Sequence, residues 1–241
     1  MVSMNWKKMQ QRISFWHRVL NLIAPQACAV CGERLAIGEE VICVACNLHL
    51  PRTGYCANAL DNEMARRFWG RIPVERAAAL FYYEAGSEVS NIIYDLKYHN
   101  HPEIGCVMGR MAAEEFANEG FFEGIDLMIP IPLEKKRQRR RGYNQSMEIA
   151  RGVKEVTGIP IMDDAVERTT FDESQTHKSL AQRMESVENA FHAREGINLN
   201  GKHILIIDDI VTSGATVCAC VKALMTCGDI KVSVMSLGMA K

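Results

Sequence analysis

Residues 203–209 read "HILIIDD", and from Ile204 to Ile207 no polar position interrupts the run. Successive side chains of a strand point to opposite faces, so a strand apolar at every position must be covered on both. "IDLMIPIP" (125–132), "RAAALFYYE" (76–84) and "KVSVMSLGMA" (231–240) read as further strands. Between them lie segments of helical character. Val89, Ile92, Ile93 and Leu96 recur on one helical face of "SEVSNIIYDLKYHN", and "IGCVMGRMAAEEFANEG" stops at Gly120. "NQSMEIARGVKEVTG" and "GATVCACVKALMTCG" each close on glycine. Strands alternating with helices predict an α/β fold, an open parallel sheet with helices on both faces.

In such sheets ligands bind beyond the carboxyl ends of the strands. Two ends carry chemistry here. The first is "ILIIDDIVTSGAT", where Asp208 and Asp209 close a strand and Val211, Thr212, Ser213, Gly214, Ala215 and Thr216 turn into the next helix. Backbone amides and hydroxyls in such a turn can cradle a phosphate at the positive end of the helix. The carboxylates would repel that phosphate. They suit hydroxyls such as a ribose diol, or the shell of a Mg²⁺ ion. No GK[ST] follows, which excludes a Walker loop, and GxGxxG is absent too. The bland alternative is a capped helix start without a ligand.

The second end is "MIPIPLEKKRQRRRGYNQ", in which six of the seven residues from Lys135 to Arg141 are basic. A run like this is often only a solvated surface. Beside a phosphate site, Lys136, Arg137 and Arg141 become candidates for a pyrophosphate, which guanidinium groups grip bidentately. The run could equally track a single-stranded nucleic-acid backbone, with Tyr143 available for base stacking.

Cys28 and Cys31 form one CxxC pair and Cys43 and Cys46 a second. Two such pairs supply the four thiolates of a tetrahedral zinc site, and Gly32 suits the tight turn after the first. A closed four-thiolate site leaves no position for substrate, so its expected role is structural. Cys56 has no CxxC partner and stays outside the site; Cys106, Cys218, Cys220 and Cys227 read as small buried hydrophobes. The expected domains are 1–60, an N-terminal helix with a zinc-ribbon-like Cys₄ module, and 61–241, the α/β domain. "ANALDNEMARRFWGRIP" reads as the connection. Ile13, Trp16, Leu20 and Ile23 give the N-terminal segment an amphipathic helical pattern without a signal-peptide core.

A formal net charge of −1 provides no global field towards nucleic acid or membrane, so any basic site is local. No apolar run reaches the roughly 18 residues a membrane span requires. Nine cysteines without a signal peptide fit a cytoplasmic chain of thiols and metal ligands.

"LIIDDIVTSGAT" resembles the signature of the type I phosphoribosyltransferases, whose acidic pair and hydroxyl-rich turn hold phosphoribosyl pyrophosphate. More narrowly, the CxxC pairs, "IIYDLKYHN", "IPIPLEKKRQRRRGYNQS" and "ESQTHKSLAQRMESVENAF" make the chain similar to the ComF family, which joins a Cys₄ zinc module to such a domain. The family often carries another CxxCG where this chain has "CANA" at Cys56. The resemblance implies a glycosyltransferase fold and activity, a phosphoribosyltransferase using phosphoribosyl pyrophosphate with Mg²⁺ and an unknown acceptor. It also implies a loop, spanning Ser174, Gln175, Thr176, Lys178 and Arg183, that closes over the site, with Lys178 or Arg183 reaching the pyrophosphate. His177 in that loop reads as solvated more readily than as a general base. Lys97 faces the site by resemblance, and Arg141–Gln145 is the most family-like piece of the basic segment, with Asn144 and Gln145 opening a helix. The rival implication is a competence-type accessory protein that binds single-stranded DNA.

Overall fold

A computed structural model of the chain describes residues 26–169 and 190–241. The chain divides into two units, Met1–Leu50 and Pro51–Lys241. The N-terminal helical pattern and residues 174–183, with Lys178 and Arg183, lie outside the described residues.

In the first unit, the described residues form short bridges (Ala27 with Arg34, Glu40 with Ile42) and a five-residue helix α1, Val44–Leu48. Among the described residues of this unit the buried apolar ones are Cys28, Val30, Ile42 and Leu50, while Ile37, Val44 and Leu48 are exposed. Four buried side chains from these described residues are too little core to specify a fold by themselves.

The second unit holds a four-stranded parallel sheet in the order β1-β6-β5-β2. The strands are β1 Val74–Tyr83, β2 Leu127–Pro130, β5 His203–Val211 and β6 Lys231–Ala240. Ile204 to Ile207 are fully buried, as the uninterrupted apolar run requires. Each such side chain contributes roughly 1.5–3 kcal/mol. Two short strands, β3 Val166–Arg168 and β4 Phe191–Ala193, pair antiparallel as a separate sheet. The helices are α2 Glu63–Arg66, α3 Ser90–Tyr98, α4 Pro102–Ala117, α5 Lys135–Arg141, α6 Gln145–Thr157 and α7 Ala215–Leu224. Among the described residues no helix is long and apolar enough to cross a membrane.

The segment expected to be a connection is packed. Met64, Ala65, Phe68 and Ile72 are buried, a helical spacing that its polar neighbours hide in the sequence. Residues 51–59 are zipped to β1: Tyr82 N donates to Pro51 O (2.8 Å) and Ala77 N to Ala59 O (2.8 Å). Cys56 is buried there. Cys218 and Cys220 are buried as expected, whereas Cys106 and Cys227 are only half-buried.

Helices α4 and α6 meet through glycine. A Cβ on Gly152 would lie 1.9 Å from the carbonyl oxygen of Cys106, and one on Gly109 would lie 2.3 Å from that of Ile149. Asn144 caps α6 by accepting from Ser146 N (3.1 Å), and Gly158 ends it in the left-handed conformation. This packing sets where the first turn of α6 stands against β5.

Candidate functional site

β2 and β5 are neighbours whose chain connections leave in opposite directions. After β2 the chain runs through α6 to a bridge at Ile161, beside β2; after β5 it runs through α7 to β6. Their carboxyl ends therefore flank a topological switch point, where open α/β sheets bind ligands. Asp208 and Asp209 stand there, together with Ser146 from the first turn of α6.

The two carboxylates have different surroundings. Asp209 pairs with Lys97 from α3, Nζ to Oδ1 2.9 Å, with both side chains largely covered. Asp208 accepts from the Ser146 hydroxyl (3.4 Å) and from the Asp209 amide (2.9 Å). Burial, and then the Asp209 charge, push the Asp208 carboxyl up from its ordinary 3.8 to about 7. The amide of Asp209, Lys97 and Ser146 pull the other way without prevailing.

Beyond the aspartates, the turn is built to expose amides. Gly214 adopts φ +74° and rests on the Phe68 ring, where a Cβ would come within 2.7 Å. Thr212 and Ser213 are exposed, while Val211 is buried and offers only backbone. The amides of Ser213 and Gly214 meet no acceptor among the described residues, and α7 begins immediately after them.

Arg168 on β3 gave no signal in the sequence. Its guanidinium lies 5.2 Å from the centre of the Phe191 ring, within electrostatic range of Asp208 and Arg137. Burial, then the Arg137 charge, lower its pKa. Cys220 of α7 lies beneath, its thiol pushed up by burial and by the Asp208 charge, which makes it an inert neighbour.

The basic run forms α5. Lys135 to Arg140, including Lys136 and Arg137, are exposed. Lys135 pairs with Glu167 (3.4 Å) and Arg137 with Glu134 (3.6 Å). Arg141 points elsewhere: it donates to Gln145 Oε1 (2.5 Å) and stacks over the Tyr98 ring at 5.4 Å. Tyr143 is not available for base stacking, because its hydroxyl donates to Leu96 O (2.6 Å) and its ring is half-buried. Tyr94 and Tyr98 of α3 are exposed instead, with ring centres 5.0 Å apart.

In the first unit, the Sγ atoms of Cys28, Cys31, Cys43 and Cys46 all lie within 4.8 Å of one another, and those of Cys31 and Cys43 are 3.9 Å apart. Tetrahedral zinc with bonds of about 2.3 Å asks for sulfurs about 3.8 Å apart, so the donor set fits a metal. Gly32 turns the first knuckle at φ +75°, and the Cys43 amide donates to Cys28 Sγ (3.3 Å). Burial opposes ionisation of Cys28, but amide donors including Cys31 and Cys43 prevail and lower it to about 7. Cys46 is pushed up by burial and then by the other three sulfurs. Four thiolates without a cation repel one another, and a metal removes that conflict.

The phosphoribosyl transferase domain model matches residues 96–236, running from the last turn of α3 through the acidic pair and the turn to β6. The chain belongs to this family. Relatives that match nearly end to end place it more narrowly as a ComF-type member of the phosphoribosyl transferase family, with its N-terminal cysteine cluster. A DNA utilization protein of Shigella flexneri is 28% identical over 226 residues, covering 90% of this chain and 98% of the relative. Competence protein F of Haemophilus influenzae is 24% identical over 224 residues, covering 88% and 96%. Competence protein ComFC of Streptococcus pneumoniae is 23% identical over 231 residues, covering 87% and 98%.

Proposed function

We propose that the second unit binds phosphoribosyl pyrophosphate as its magnesium complex, in the manner of a phosphoribosyltransferase. Asp208 and Asp209 hold the ribose hydroxyls, Val211 to Thr216 hold the 5-phosphate, and Arg137 and Arg168 stand on the side from which a pyrophosphate would be met. The observation that carries this reading is the pairing of an acidic doublet with two adjacent amides, Ser213 and Gly214, that have no acceptor at the start of α7. Magnesium would add charge neutralisation of the pyrophosphate. In transfer, an acceptor forms a bond to the anomeric carbon as the bond to pyrophosphate breaks and pyrophosphate leaves with the electron pair. The protein's share is positioning and charge stabilisation, with no covalent intermediate. The tetracysteine cluster is proposed to hold one structural zinc, in a cytoplasmic chain.

Asp208→Asn combined with Asp209→Asn should reduce calorimetric binding of the magnesium complex below detection while the fold persists. Unchanged binding removes the site. Asp208→Asn alone has a second, pH-dependent readout. A carboxyl whose folded pKa lies above its unfolded one loses stability for the protein as pH rises between the two values. The variant should therefore be more stable than the parent above pH 7, by roughly 4 kcal/mol, with the advantage vanishing as pH falls below about 4. Equal melting temperatures at pH 8 would show that Asp208 ionises freely.

A second reading is favoured by the surface beside this site. Exposed α5 carries the arginines, and Tyr94 and Tyr98 offer ring faces next to Arg141. Basic groups interleaved with exposed aromatics suit single-stranded DNA, the first through its phosphates and the second through its bases. The names of the relatives, DNA utilization and competence proteins, point to the same partner and to the competence machinery. Changing Arg139, Arg140 and Arg141 to Ala should flatten the slope of log affinity against log salt by about 2. An unaltered slope places the strand elsewhere.

A further inference from the structure

Arg67 and Arg71 are far in sequence from β5, yet both reach the turn that follows it. Arg67 Nη1 donates to the carbonyl of Thr212, and its Nη2 donates to Ala240 O (2.8 Å) at the end of β6. Arg71 Nη1 donates to Ser213 O (2.8 Å) and to Arg67 O (3.0 Å). Between them in the chain, Phe68 is fully buried and supports Gly214. One short segment thus takes hold of three consecutive residues of the turn, from the side away from the ligand.

The consequence follows from peptide geometry. A trans peptide is planar, and its C=O and N–H point in opposite directions. Fixing the carbonyl of Thr212 fixes the N–H of Ser213; fixing the carbonyl of Ser213 fixes the N–H of Gly214. Those are the two amides without an acceptor among the described residues. A guanidinium at each carbonyl also polarises the peptide, so the opposite N–H donates more strongly to an anion. Without these partners the two peptide planes could flip, and one carbonyl would then face the phosphate.

We propose that Arg67 and Arg71 are positioning residues for the phosphate-binding turn: from behind it, they aim the amides of Ser213 and Gly214 at a sugar phosphate. The inference rests on the phosphoribosyl reading above and assigns that site a support the acidic doublet does not reveal.

The test compares two probes on the full chain, ribose 5-phosphate and magnesium pyrophosphate. Arg71→Ala should weaken ribose 5-phosphate about tenfold, the usual scale for removing a partner that orients a binding group, and leave pyrophosphate within twofold. Arg71→Lys, which can still donate to one carbonyl, should recover part of the loss. Ribose 5-phosphate should shift the amide resonances of Ser213 and Gly214 in the parent and much less in Arg71→Ala. Arg67→Ala should show the same selectivity together with a lower melting temperature, because it also releases Ala240. If Arg71→Ala binds ribose 5-phosphate like the parent, or loses both probes in parallel, the positioning role is overturned. A parent chain that binds neither probe overturns the phosphoribosyl reading itself, and this inference with it.

Discussion

A chelator that competes for thiolate-bound metal should release about one zinc per chain and erase hydrogen-exchange protection from Cys28 to Cys46, leaving the amides of β5 and β6 protected. The reason lies in what the described residues of the first unit supply. Its described residues bury four apolar side chains, and its helix α1 has five residues, none of them buried. Isolated helices that short do not persist in water. What the unit does have is four sulfurs converging within 4.8 Å and amides aimed at two of them, Cys28 and Cys43. Structural zinc of this type binds with about 10–16 kcal/mol, and because the site does not pre-exist in the open chain that energy is folding energy. Cys46→Ser should therefore have nearly the effect of chelation. Cobalt substitution gives an independent readout, since four thiolates around Co²⁺ produce intense visible bands absent from any other arrangement of this chain. Metal-free purified protein, or unchanged protection between Cys28 and Cys46 after chelation, would remove the metal from the account.

The large-scale architecture was legible because it depends on burial, and burial leaves a pattern. Ile204 to Ile207 could only be a strand covered on both faces, and Asn144 and Gly158 mark the ends of α6 by side-chain capping and by positive φ. Asp208 and Asp209 were legible as a pair because two carboxylates at the end of an apolar strand carry repulsion that packing alone does not explain. Less legible were features made by long-range contact. The carbonyls of the turn that Arg67 and Arg71 hold lie more than 140 positions away in sequence, and nothing local in "EMARRFWGRIP" marks those arginines as different from their neighbours. Arg168 is similarly silent, since one arginine on a three-residue strand has no periodicity. In the sequence the basic run is a charge pattern, which says where charge is and nothing about direction. Its residues then diverge in use: Arg137 pairs with Glu134, whereas Arg141 is committed to Gln145 and Tyr98. Tyr143 misled for the same reason, because an aromatic beside arginines looks like a stacking group until its hydroxyl is found on Leu96 O.

Gly152→Ala should be among the most damaging single substitutions in the second unit, although it adds one methyl group to a good helix former's position. In an exposed helix that change would stabilise by up to about 1 kcal/mol. Here the new Cβ would stand 1.9 Å from Cys106 O and 2.7 Å from Arg110 N, both backbone atoms of α4 that no rotamer change can move. The helices must separate, which opens contacts along the whole α4–α6 interface, and the expected cost is about 3 kcal/mol or more. For a unit of this size that corresponds to a fall in melting temperature of roughly 6–12 °C. Gly124→Ala is the control: its φ of +72° disfavours a side chain, but a Cβ there meets nothing within 4 Å, so its cost should stay near 1 kcal/mol. The consequence reaches the site because α6 begins at Gln145 and carries Ser146, whose hydroxyl holds Asp208. Displacing α6 displaces that donor, so the variant should bind the magnesium phosphoribosyl pyrophosphate complex more weakly than the parent even at a temperature where both are folded. Gly124→Ala should bind it normally. If Gly152→Ala melts with the parent, α4 and α6 are not in the close contact described; if it melts early yet binds with full affinity, the position of Ser146 does not matter to the acidic pair.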